Sequence, residues 1–73
     1  MNYVTQLKIE QSAMSGCDSA KDELRALRNR LIPLGLNREL MRAIEEALEL
    51  ADREWLWHHA RAELLSELIA EQK

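Results

Sequence analysis

The chain has 73 residues, 47% of them apolar, with one proline, two glycines and a formal net charge of −3. That length allows one small core, and that composition excludes a disordered chain. The acidic balance removes any overall attraction to phosphate backbones, and the lone cysteine, Cys17, excludes an internal disulfide.

Aromatic residues number three (Tyr3, Trp55 and Trp57) and phenylalanine is absent. Leucine, isoleucine, methionine and alanine must therefore fill the core, which favours helix packed on helix. A chain this small, with neither a disulfide framework nor a metal cluster, commonly gains stability by oligomerising. No basic segment followed by an apolar run opens the sequence, and no apolar stretch approaches the ~18 residues of a membrane span. A cytoplasmic, soluble protein without a membrane partner is expected.

The first eighteen residues form an N-terminal arm in this reading. "YVTQLKIE" alternates in polarity, with Tyr3, Thr5, Leu7 and Ile9 on one side, which suits a strand. Tyr3, Leu7 and Met14 also share a helical face, and a short helix is favoured, because a lone strand has no mate in this chain. "SGCDS" separates this arm from the next helix.

That second helix is expected over 19–32. Asp18 or Ser19 caps it, and Ala20, Leu24, Leu27 and Leu31 make a narrow apolar stripe. Pro33 stops it near Ile32. After "PLGL", Asn37 caps a long helix over 38–72, with Leu36 and Met41 as a hydrophobic staple. No glycine or proline interrupts that helix, although Asp52 is a candidate cap for a restart. The short connection makes 19–32 and 38–72 an antiparallel hairpin. The fold class is all-α, a single helical domain over 1–73, expected to be dimeric.

The long helix carries two apolar arcs. Leu40, Ile44, Leu48, Trp55, His58, Leu65 and Ile69 share the first, which is expected to meet Leu24, Leu27 and Leu31 in the core. Leu50, Trp57, Leu64 and Leu68 lie roughly 100° around, with Arg61 among them. A 14-residue helix spans roughly 21 Å and shields only the first half of its partner. The arm folds over Trp55 and Leu65, and nothing remains for the second arc. Those residues are therefore expected to meet a second copy or another protein.

Chemistry has little support. Glu54 and His58, and His59 and Glu63, are four apart, a spacing that can chelate along a helix, but the pairs point in different directions. No metal, cofactor, small-molecule substrate or catalytic residue is assigned, and the serines and Cys17 have no base placed beside them. A nucleic-acid alternative rests on Arg25, Arg28, Arg30, Arg38 and Arg42, which gather around the hairpin turn. With a strand at the N-terminus followed by two helices, the chain also loosely resembles ribbon-helix-helix repressors. That resemblance implies paired strands from two subunits in a major groove. About ten residues between strand and helix, and an overlong second helix, depart from that pattern. The favoured function is that of an adaptor, inhibitor or regulator, which acts by binding a partner protein through the long helix.

Overall fold

The computed structural model describes residues 2–35 and 38–72, and the expected cap and staple at Asn37 and Leu36 fall outside them. Two helices account for nearly all of the described residues, and no strand occurs among them. Helix α1 runs Tyr3–Leu31 and helix α2 runs Arg38–Glu71, without interruption at Asp52. Asn2 starts α1: its side-chain oxygen accepts the Val4 N–H at 2.9 Å, supplying one of the partners that a helix's first turn lacks. Pro33 ends it, in a 3-10 turn over Ile32–Leu34. Gly35 then takes a left-handed conformation at φ 66°, and its N–H donates to the Ile32 carbonyl.

α1 lies along α2, with Glu10 against His58 and Lys21 against Asp52, so residue numbers rise along one helix as they fall along the other. The seam on α1 is an unbroken 3-4 repeat: Tyr3, Leu7, Glu10, Met14, Cys17, Lys21, Leu24, Arg28 and Leu31. Every member is buried or half-buried. On α2 the matching repeat is Met41, Ile44, Leu48, Ala51, Trp55, His58, Ala62, Leu65 and Ile69.

The structure corrects the N-terminal arm. Residues 3–18 are the first half of α1, and no break occurs at "SGCDS". Gly16 costs about 1 kcal/mol in a helix interior, but Met14 and Cys17 continue the seam on either side of it. Residues 3–10 are helical, so the strand that the ribbon-helix-helix resemblance needed is absent. The expected short helix over 19–32 is likewise only the second half of α1.

The core is thinner than expected. Among the described apolar residues only Ile44, Ala62 and Leu65 are buried, at 4%, 8% and 7% exposure, and no large side chain among the described residues is fully enclosed. Leu24, Leu27, Leu31, Leu48, Trp55, His58 and Ile69 are half-buried. Leu40, expected in the core, is 41% exposed, because it stands beside the seam residues Met41 and Ile44 rather than on their line. One helix against one helix covers a single stripe and leaves each flank open.

Polar residues interrupt the seam in pairs. The Lys21 ammonium donates to Asp52 at 2.9 Å, stands 3.5 Å from Asp18, and lies 5.7 Å from the centre of the Trp55 ring. The Asp52 hydrogen bond, aided by the charges of Asp52 and Asp18, raises the Lys21 pKa from 10.5. A raised value means that this contribution to stability is complete below 10.5 and is lost as pH climbs through the folded-state value. Thermal melts between about pH 9 and 12 should show Asp52→Asn losing less stability over that window than wild type.

Candidate functional site

Residues at 100° to the seam direction point straight out of the plane that holds the two helices. On one side of that plane α2 presents Ala43, Leu50, Trp57 and Leu64, each seven residues after the last. Leu50 is 54% exposed, Trp57 59% and Leu64 57%. α1 adds Ile9, at 60% exposure, to the same side. Ala13 and Ala20 of α1, with Ala47 and Leu68 of α2, form the half-buried floor between the rows. The opposite side of the plane carries Gln11, Asp18 and Asp22 on α1 and Glu45, Glu49, Asp52 and Glu63 on α2, with Val4 and Leu56 as isolated apolar residues. The apolar side also carries charge, at Glu23 and Arg30 on α1 and at Glu54 and Arg61 on α2, all exposed.

At the end away from the turn, a shallow groove of ≈ 380 Å³ runs along this apolar side. Tyr3 and Gln6 form one wall, and Trp57, Arg61, Leu64 and Leu68 the other. The expected arc of Leu50, Trp57, Arg61, Leu64 and Leu68 thus lies on one side of α2, with Leu68 half-buried. The reason it stays open differs from the expectation. α1 is 29 residues long, roughly 44 Å, and covers most of α2 lengthwise. The cover falls short sideways.

Beneath this surface sits a charged cluster that sequence reading missed. Glu10 is buried, at 6% exposure. Its Oε2 lies 2.5 Å from His58 Nδ1, and its Oε1 accepts from Arg61 Nε at 3.0 Å. The Arg61 guanidinium also lies 5.9 Å from the centre of the Trp57 ring. Arg61 therefore links the buried carboxylate to the exposed tryptophan. The sequence signal was present: Glu10 stands on the Tyr3, Leu7, Met14 line, where a carboxylate is tolerated only with partners.

Other candidates are more dispersed. His59 Nε2 is 3.0 Å from Glu63, and the His59 ring stacks on Trp55 with centroids 4.9 Å apart. Among the described residues no three metal-ligating side chains converge. Arg25, Arg30, Arg38 and Arg42 are exposed, while Arg28 is half-buried in the seam; Arg25 stands 3.6 Å from Asp22. No helix among the described residues is long and apolar enough to cross a membrane.

Hydrogen bonds to a charged group contribute about 1.5–3 kcal/mol when buried. Glu10→Ala should lower the unfolding free energy by about 2 kcal/mol in a urea titration followed by circular dichroism. Lys8→Ala, at an exposed position of the same helix, should change it by less than about 0.5 kcal/mol.

Comparison of the chain with protein-family models, curated proteins and solved structures finds no match.

Proposed function

We propose that this chain is a non-enzymatic protein-interaction module, a small adaptor, inhibitor or regulator. Its docking surface is the flank of α2 that carries Leu50, Trp57, Arg61, Leu64 and Leu68. The occupant is another protein chain, either a second copy or a different protein. The observation that supports this reading is the row of Leu50, Trp57 and Leu64. These are three large apolar side chains, each more than half exposed, at seven-residue intervals on one line.

Covering a leucine or tryptophan of this kind contributes about 1.5–3 kcal/mol apiece. Contiguous exposed apolar patches on a small protein mark interaction sites, whereas single exposed residues do not. Trp57 and Arg61 are also the residue types that most often anchor interfaces, and here the guanidinium is already held over the ring. The acidic side of the molecule keeps the assembly soluble and is open to a basic partner.

The test is capture of partners from a host lysate by wild type and by Trp57→Glu, each with and without nuclease. A protein retained by wild type after nuclease and lost by the variant is the expected result. Trp57 is exposed in the single chain, so the variant's helical circular dichroism should match wild type. Equal capture by both proteins contradicts the reading. Loss of all capture on nuclease treatment, repeated by Arg28→Glu with Arg42→Glu, supports nucleic-acid binding in its place.

A further inference from the structure

We infer that the apolar side of the helix pair is covered by a second copy of this chain, paired face to face as a four-helix bundle with both turns at the same end. This rests on the α2 flank being a docking surface and names its occupant.

Area is the first argument. The chain exposes 5676 Å², whereas a compact monomer of 8.5 kDa exposes about 4,700 Å². The radius of gyration is 16.7 Å, against about 11 Å for a compact domain of this length. The excess surface, near 1,000 Å², is about what each partner buries in a stable protein–protein contact, ~800 Å². The broad face measures 57 by 16 Å, a footprint of roughly 900 Å² that only a similarly long, flat object covers. A second helix pair has those dimensions and the same apolar rows.

Fit is the second argument, and it fixes the arrangement. The Glu10–His58, Glu10–Arg61 and Lys21–Asp52 contacts set which residues stand level across the pair. Ala13 stands level with Trp57, Ala20 with Leu50, and Leu27 with Ala43. A two-fold axis along the length of the molecule lays α1 on the partner's α2 without changing level. Trp57, Leu50 and Leu27 then meet the partner's Ala13, Ala20 and Ala43, a large-on-small alternation of the kind that fills a core. An axis across the molecule would instead stack α2 on the partner's α2, with the Leu50–Trp57–Leu64 rows against one another, and α1 on the partner's α1, with small residues against small ones. In the lengthwise arrangement every neighbouring pair of helices is antiparallel, as in up-down bundles.

Gly16 fits the same picture. It is exposed on this face between Ile9 and Glu23, and a side chain added there meets nothing within 4 Å in the single chain. Nothing within the helix pair needs a glycine at that point. In the bundle the position lies between the partner's Leu50 and Trp57, level with Glu54.

Sedimentation equilibrium at micromolar concentration tests this. Wild type should weigh two chains, while Gly16→Leu and Trp57→Glu should each weigh one and keep wild-type helicity. Gly16→Leu enters open space in the single chain, so loss of folding is not expected to mask its effect. In a Cys17→Ala background, mixed Ala20→Cys and Leu50→Cys chains should cross-link to each other more than either does alone. A monomeric wild type, or a dimer that survives both substitutions, overturns the inference. If a monomeric wild type still captures a protein that Trp57→Glu loses, the docking-surface reading stands and only its occupant changes. Self cross-linking of the Leu50→Cys chain alone overturns the lengthwise axis.

Discussion

α2 is apolar along two lines about 100° apart, and a single antiparallel helix covers one of them. Most other features of the molecule stem from that constraint. It explains why only three apolar residues among those described are buried, in a chain that is 47% apolar. It explains why the surface is too large for the mass. It also explains why Leu50, Trp57 and Leu64 are exposed at heptad spacing. A helix with one apolar stripe would be satisfied by α1 alone, and the opposite flank, with its carboxylates at Glu45, Glu49 and Asp52, behaves in that way.

Polar groups in the seam give the helix pair its register. Long helices whose contacts are all leucine-like can slide by a turn at little cost, since each position resembles the next. A buried carboxylate at Glu10 is satisfied only where His58 and Arg61 meet it, and Lys21 finds its partner on α2 where Asp52 stands across from it. A shifted pairing would leave the Glu10 carboxylate buried without its partners, a loss of several kcal/mol. The same contacts hold Arg61 against Trp57, so the seam and the exposed surface are set by one cluster. In the proposed bundle, register within a chain and fit between chains are then linked.

The architecture is partly legible in the sequence. The run from Arg38 onward, free of glycine and proline and rich in helix formers, reads as one helix, and Pro33 with Gly35 marks the turn. The two apolar arcs of α2 are visible from spacing alone. The first helix is harder to read, for a physical reason: its seam contains Glu10, Lys21 and Arg28, which interrupt the apolar pattern. "SGCDS" also looks like a loop, yet Ser15, Gly16 and Ser19 face outward while Met14, Cys17 and Lys21 keep the repeat. Such polar seam positions become readable only when the partners opposite them are known. The shortage of cover for Trp57 and Leu64 is legible from spacing, but its cause is a helix pair too narrow rather than a first helix too short.

Side-by-side pairing has a shape that distinguishes it from other assemblies. Two helix pairs laid face to face double the mass and the thickness but leave the length unchanged. Small-angle X-ray scattering over a dilution series reads mass and maximum dimension together. The account predicts forward scattering of two chains, with a maximum dimension close to that of a single 57 Å helix pair. Scattering from a single chain at all concentrations, or from a two-chain particle nearly twice as long, would contradict it.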